Sequence, residues 1–404
     1  MGGRHPSRPV LRRELVDAQR RGDPSPDRSA DGQTGRSVLN QNLIVHEWLE
    51  TAGGAERVVD EMRSALPDAR VLCLWSDRPA DASVTETWLA KTPLRRSKSL
   101  AMPFMSATWR QVDLSEYDTV LISTHLFAHH VAYGSARRSA RRTLSYVHTP
   151  ARYLWAPHLD GRAGGALGRL VSPALRRLDR RMAGAATGLA ANSEFVRRRI
   201  QAAWNRDAAV IHPPVRVSEI QRVLAWCERL DGVERQLLER LPDGFLLGAS
   251  RFVPYKQLDR VIEAGEATDR PVVLAGAGPD LSRLRERASR SRVPVHFVAR
   301  PSDAMLFALY ERAAAFVFPA VEDFGIMPVE AMATGTPVIV GTTGGATESV
   351  VDGVSGVHVA DWSETPLREA VDAAVALRGA GPRQVALRFD QSVFQRRIQD
   401  WVAS

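Results

Sequence analysis

From Leu39 onward, short uninterrupted apolar runs alternate with helix-patterned stretches, and the whole alternation occurs twice. The first series holds Leu43–Val45, Val71–Leu74, Thr119–Ile122, Thr143–Val147 and the weaker Gly188–Ala191. The second holds Phe245–Leu247, Val272–Ala275, Val295–Val298, Ala315–Phe318 and Pro337–Val340. A strand that is apolar on both faces is covered on both faces, which is the signature of a parallel sheet sandwiched by helices. Helices are expected at Glu56–Leu66, Leu258–Ala267, Leu281–Ser289 and Pro328–Ala333. Ile220–Leu238 reads as one more, and Ser392–Val402 as an amphipathic helix able to pack back on the first series. The doubled proline in Ile211-His212-Pro213-Pro214-Val215 marks the break between the series. The expectation is two α/β domains, residues 38–215 and 216–385, with a returning helix in 386–404.

The length, 404 residues, suits two such cores. Residues 1–37 carry few large apolar side chains and are expected to be a disordered basic tail. Basic and acidic residues number 8 and 5 in that tail, 24 and 16 in residues 38–215, and 22 and 25 in residues 216–404. The surplus in the first domain points to an anionic partner there, such as lipid headgroups, or to a merely solvated arginine-rich surface. Leu170, Val171, Leu175 and Leu178 lie among arginines within Gly161–Arg181, the pattern of a membrane-surface helix or a solvated one. No apolar run reaches the 18 or so residues that span a bilayer, and the N-terminus lacks the apolar stretch of a signal peptide. The two cysteines, Cys73 and Cys227, lie far from any paired motif and are expected to be buried, inert thiols. These features point to the cytoplasm.

Three local arrangements in the second series suit a diphosphate. Arg251 and Lys256 follow the Phe245–Leu247 strand, and open parallel sheets bind ligands at the carboxyl ends of their strands. Two cations there can hold a pyrophosphate and its growing charge, although solvated surface cations give the same pattern. Gly276 and Gly278 follow the Val272–Ala275 strand and either let backbone approach a ligand or make a plain strand–helix turn. Most informative is Glu322-Asp323-Phe324-Gly325-Ile326-Met327-Pro328-Val329-Glu330, which leads from a strand into a helix with proline in its first turn. Its backbone N–H groups can hold an anion, with one carboxylate beside a sugar and the other near ribose hydroxyls.

The spacing of Glu322 and Glu330 resembles the E-x7-E element of the retaining glycosyltransferases of family 4, which have the GT-B fold. Gly53-Gly54-Ala55-Glu56-Arg57, Tyr146–Pro150, Ala191-Asn192-Ser193-Glu194-Phe195, Ser250-Arg251 with Lys256, and Gly344-Gly345-Ala346-Thr347-Glu348 are similar to that family in the same order. The run Glu322–Ile326 together with His148–Trp155 most resembles bacterial polysaccharide mannosyltransferases that use GDP-mannose. The resemblance implies two Rossmann-like domains about a deep cleft. It implies that Arg251 and Lys256 clamp the donor diphosphate, Glu322 bonds the sugar and Glu330 the ribose. Phe324, Gly325 and Ile326 would offer N–H groups, Gly53 and Gly54 a loop over the donor, and Gly276, Val298 and Arg300 contacts around the nucleotide. It also implies that His148, Arg152 and Tyr153 lie on the acceptor side.

A histidine at the end of a first-domain strand commonly holds the leaving group in this family. His125 is the best positional match, with His129, His130 and His148 as rivals. Two departures stand out: Trp155 is followed by Ala156, where relatives carry an acid, and Val215 by Arg216 instead of Asp. The implied reaction is front-side retaining transfer to a glycan or polyprenyl-linked acceptor, with no metal and no cofactor, since no Asp-x-Asp element follows a strand. A UDP-sugar donor and a GT-B nucleotide-sugar epimerase are the alternatives. A nucleic-acid or dinucleotide-binding module is disfavoured, because neither a nicotinamide fingerprint nor an aromatic-laced basic patch is present.

Overall fold

The continuous apolar runs become two all-parallel sheets in the computed structural model, which describes residues 42–51, 53–135, 142–155 and 166–404. The tail 1–37, Ala156 and the first residues of Gly161–Arg181 lie outside the described residues. The first sheet contains β1 (Asn42–His46), β2 (Arg70–Cys73), β3 (Val84–Glu86), β4 (Thr119–Thr124), β5 (Arg142–Val147), β6 (Gly188–Ala191) and β7 (Ala209–Val210). Its order is β3-β2-β1-β4-β5-β6-β7. The second contains β8 (Leu246–Arg251), β9 (Val272–Ala277), β10 (Val295–Ala299), β11 (Ala315–Phe318), β12 (Val338–Gly341) and β13 (Gly356–Val359), in the order β10-β9-β8-β11-β12-β13.

Both orders reverse direction once: the chain winds outward from β1 and returns at β4, then outward from β8 and returns at β11. At such a reversal the crossover connections leave to opposite faces, so a crevice opens beyond the two carboxyl ends. Central strands pair in register on both sides of β1, with Ile44 opposite Val71 and Leu121. Each sheet is packed on both faces. Val45, Val120 and Trp109 share one core of the first sheet, and Ile44, Val58 and Met62 the other. Phe316 and Met332 lie on one side of the second sheet, with Val317 and Leu367 opposite.

The final helix, Gln391–Ala403, buries Phe394 and Ile398 in the core of the first sheet beside Tyr146. The Arg142 guanidinium donates to the carbonyl of Val402, a further bond between that helix and the first sheet. Residues 40–404 therefore form one compact unit, although the strands fall into two sheets.

Two expectations need correcting. Ile220–Leu238 is not one helix: Val217–Arg222 ends before a fully exposed Leu224, and a new helix, Gly232–Arg240, begins at Asp231. Asp231 caps it, its carboxylate accepting the Glu234 N–H at 2.8 Å, and Trp226 between the two packs on Phe307. The cysteines also differ. Cys73 is buried on β2, where burial pushes its thiol up to about 12, but Cys227 is exposed.

Candidate active site

The β8–β11 reversal gathers the charged residues of the second half. After β8, Gln257 takes a left-handed conformation (φ 51°) and closes a tight turn over Pro254–Lys256. That turn brings the Lys256 ammonium onto Oε1 of Glu322, which follows β11. Arg152, just beyond β5 of the first half, stands 3.6 Å from Oε2 of the same carboxylate. It also forks onto Asp323, at 3.1 Å from Nε and 2.5 Å from Nη2. Arg199 adds a contact of 2.5 Å to the other Asp323 oxygen. Glu330, buried in the helix Ile326–Ala333, accepts from Arg57 at 3.3 Å. Burial pushes the Glu330 pKa up, and Arg57 offsets part of that rise.

Three of these arginines come from the first half and three of the carboxylates from the second. The carboxyl ends of the two sheets therefore face each other. A methyl group placed on Gly54 would lie 3.5 Å from Ile326, so the first-half glycine turn rests against the start of the Glu330 helix.

The glycines of the second half serve the backbone beneath the carboxylates. Gly325 (φ 93°) opens the Glu330 helix in a conformation that L side chains rarely adopt. A side chain on Gly345 would meet the Asp323 carbonyl at 2.1 Å, so that residue underlies the Glu322–Phe324 loop. Phe324 itself is buried. At Gly276 and Gly278 the close approach is to protein: a Cβ would strike the Ser250 carbonyl at 1.9 Å and the Phe252 carbonyl at 2.3 Å. The turn reading of that pair is the one the geometry supports. Val298 is buried, whereas Arg300 is exposed in a left-handed conformation (φ 47°). Arg251 is exposed, its guanidinium 3.4 Å from the Tyr255 hydroxyl.

The β1–β4 reversal gathers histidines. His125 follows β4, with 27 % of its side chain exposed, and packs edge-on against Trp48. His46 and His148 lie 5.7 and 6.2 Å from it between ring centroids. Burial lowers His46 to about 4, with Glu47 opposing, and lowers His148 to about 3. His148 Nε2 is engaged at 2.8 Å with the Ser123 hydroxyl. His129 and His130 are both buried against Asp179 at 3.1 Å. His125 is the histidine of the four that keeps a solvent-facing edge without a neutralising tie to Asp179 or Ser123.

The residues expected on the acceptor side make contacts of their own. Arg152, expected on the acceptor side, pairs with Glu322 and Asp323 across the cleft. Tyr153 packs edge-on against Phe127, with its hydroxyl buried and unpartnered. Burial there pushes the phenol pKa up.

The sequence singled out neither Glu47 nor Arg199, and it showed Arg57, Asp323 and Glu348 only within family-like segments, with no role of their own. Glu348 accepts the N–H groups of Glu194 and Phe195 at 2.7 and 2.8 Å, capping a first-half helix from the second half. The Ser193 hydroxyl donates to the Asp323 carbonyl at 2.5 Å. The Asn-Ser-Glu-Phe and Gly-Gly-Ala-Thr-Glu segments thus meet each other and dock the halves. An acid directly after an apolar strand, Glu47, and one three residues after a glycine pair, Glu348, were the available signal.

Glycosyltransferase Family 4 matches residues 52–219, and Glycosyl transferases group 1 matches residues 233–386. The two matches divide at the boundary between the sheets. The chain belongs to the family 4 glycosyltransferases. Among its relatives is the GDP-mannose-dependent alpha-(1-6)-phosphatidylinositol monomannoside mannosyltransferase of Mycolicibacterium smegmatis. Identity to it is 31% over 239 residues, 55% of this chain and 61% of that protein. The D-inositol 3-phosphate glycosyltransferase of Streptomyces bingchenggensis is 28% identical over 302 residues, 68% of this chain and 64% of that protein. The chain therefore spans less than two thirds of the length of either. Among solved structures, Anabaena HepE in complex with UDP superposes with a TM-score of 0.65 at 20% identity. That superposition covers 90% of this chain and 99% of HepE. This family 4 glycosyltransferase thus has the GT-B fold over nearly its whole length. Among the described residues, no helix is long and apolar enough to cross a membrane.

Proposed function

We propose that the chain transfers a hexosyl group, most specifically mannose from GDP-mannose, to a glycan or polyprenyl-linked acceptor with retention at the anomeric carbon. The observation that carries this reading is the Lys256–Glu322–Arg152 group at the β8–β11 reversal, where two cations and a carboxylate meet at the carboxyl ends of both sheets. Five cations (Arg57, Arg152, Arg199, Arg251 and Lys256) stand against three carboxylates, so the group keeps an attraction for a diphosphate. The names of the mannosyltransferase relatives support GDP-mannose as donor.

The donor exchanges existing pairs as it binds. Its diphosphate draws Lys256 from Glu322, and with Arg251 takes up the charge released as the sugar leaves. Glu322 is then free for sugar hydroxyls. Glu330 turns from Arg57 to the ribose, and Gly53, Gly54 and Phe324–Ile326 close over the donor. The acceptor hydroxyl attacks the anomeric carbon from the leaving-group side. Its oxygen forms the new bond to that carbon, the bond to the phosphate oxygen breaks with its electron pair, and the acceptor proton passes to that phosphate. His125 donates to the departing diphosphate. No step requires a metal.

Purified protein given GDP-[14C]mannose and, separately, labelled UDP-sugars is expected to label an acceptor only from GDP-mannose, with the rate unchanged in EDTA. Preference for a UDP-sugar would overturn the donor. Activity that disappears in EDTA and returns with Mn²⁺ would overturn the metal-free mechanism. Label that never reaches an acceptor would favour an epimerase.

A lipid-linked acceptor also calls for contact with a membrane surface. Between Trp88 and Gln111 there are five basic residues and no acidic one, and Trp88, Leu100 and Phe104 are exposed at 49, 65 and 45 %. Aromatic rings beside lysine and arginine fit an anionic bilayer interface. Trp88→Ala/Phe104→Ala is expected to reduce co-sedimentation with phosphatidylglycerol vesicles about tenfold, given the apolar area removed. Equal sedimentation of variant and parent would discard this surface.

A further inference from the structure

Glu47 directly follows β1 and faces His125, and no part of it reaches solvent. A buried carboxylate persists only when its oxygens are satisfied. Oε1 is: it accepts the Thr124 hydroxyl at 3.0 Å and the backbone N–H groups of His125, Leu126 and Ala128 at 3.1, 2.8 and 3.1 Å. The same oxygen therefore fixes the start of the loop that carries His125. Oε2 is buried without a hydrogen-bond partner. Nδ1 of His125 is likewise buried without one, and the two atoms face each other across 3.4 Å. His46 is the other neighbour, its Nδ1 3.8 Å from Oε2, but that nitrogen lies 3.1 Å from the Ser123 carbonyl. A carbonyl only accepts, so the His46 Nδ1 proton is directed at Ser123. Two complementary orphans remain, one acceptor and one ring nitrogen.

We propose that Glu47 is the positioning residue for His125: its Oε2 holds the proton on Nδ1 and so presents Nε2 to the departing diphosphate. This rests on the reading that His125 serves the leaving group. With Nδ1 committed, a second proton can reside on Nε2 beside the phosphate charge, and the carboxylate balances it. Glu47 takes no proton itself, and the acceptor proton still leaves on the phosphate.

The surrounding charges agree. Burial would raise Glu47, but His125, His46 and the amide donors outweigh it and hold its pKa at about 2. His46 and His148 are lowered by burial and stay neutral. Arg78 is committed to Asp60, and Lys98 to Glu50, where it lies over the Trp48 ring. The carboxylate–imidazole arrangement is the one by which a buried acid fixes a catalytic tautomer.

The test is a double-mutant cycle on GDP-mannose turnover with Glu47→Gln, His125→Ala and both together. Glu47→Gln is expected to lower kcat about 100-fold with donor KM within about threefold, and Glu47→Asp to recover part of the loss. The double variant should be no slower than His125→Ala alone, because Glu47 acts only through that ring. Multiplying penalties, or a Glu47→Gln enzyme of parental kcat, would overturn the proposal. A His125→Ala enzyme of parental kcat would instead remove the leaving-group role on which it rests. A third readout does not depend on activity or on the variants folding. In ¹⁵N-histidine-labelled parent protein the His125 ring should show a bonded Nδ1 proton, and its absence would reject the pair. His46, Glu47 and His125 are also close enough to share a cation. Zinc-dependent recovery after EDTA treatment would make the group a metal site and overturn the proton-holding role.

Discussion

Lys256→Ala is expected to remain folded and to turn over its donor about a thousandfold more slowly than the parent, the loss typical of removing one aimed donor from a developing anion. Two effects add. The variant loses the ammonium proposed to meet the diphosphate. It also leaves Glu322 with Arg152 alone at 3.6 Å, so the freed carboxylate repels the incoming phosphates. Both effects act on nucleotide binding as well as on the chemical step, so calorimetry should show weaker GDP binding with the sign of the kinetic loss. Lys256→Arg should recover only part of the activity, because a broad planar fork cannot reproduce a compact point charge held by the Pro254–Lys256 turn. Arg251→Ala should cost less, since Arg251 is exposed and holds no carboxylate. If Lys256→Ala binds GDP as tightly as the parent, the diphosphate does not sit at this reversal.

The reason Lys256 and Glu322 could be paired from sequence is topological. Each follows an apolar strand, and strands adjacent at a reversal deliver their successors to one crevice whatever the distance along the chain. Arg152 and Arg199 reach Asp323 over 171 and 124 residues. Nothing local to an arginine states which carboxylate across the cleft it will meet, and those pairs were illegible. The central strands showed themselves because both of their faces are buried. The short edge strands β3 and β7 did not, since Val84–Glu86 and Ala209–Val210 are half-solvated and too brief for a pattern. Ile220–Leu238 misled for the opposite reason. Its apolar spacing suits a helix throughout, but the packing of Trp226 on Phe307 and the Asp231 cap divide it in two. The histidines illustrate the same limit: four lie near the end of β4 or β5, and only burial separates His125 from those bound to Asp179.

Asp179→Ala is expected to destabilise the fold by about 3–5 kcal/mol, the cost of breaking a buried, multiply bonded charge. In denaturant melting this would appear as a lower midpoint with little change in slope. One Asp179 oxygen lies 3.1 Å from both His129 Nε2 and His130 Nε2, and the other accepts the indole N–H groups of Trp155 and Trp204 at 2.7 Å each. Alanine strands the His130 ring nitrogen and both indole N–H groups in the interior and removes the charge facing His129, and asparagine would replace one acceptor oxygen with a donor. The pH dependence follows from the same contacts. Burial pushes the Asp179 pKa up, but His129 and His130 outweigh it and hold the carboxyl well below its ordinary value. Its stabilisation is therefore complete above the unfolded pKa of about 3.9 and is lost as pH falls through the native one. Burial, with His129, lowers His130 to about 4 against Asp179. Below its unfolded pKa of about 6.5 the unfolded chain binds the extra proton first, and stability drops by about 1.4 kcal/mol per pH unit down to pH 4. Both groups make acid destabilising, with the histidine acting first. A parent protein equally stable at pH 4.5 and pH 7 would show that this network does not carry the charge state assigned to it.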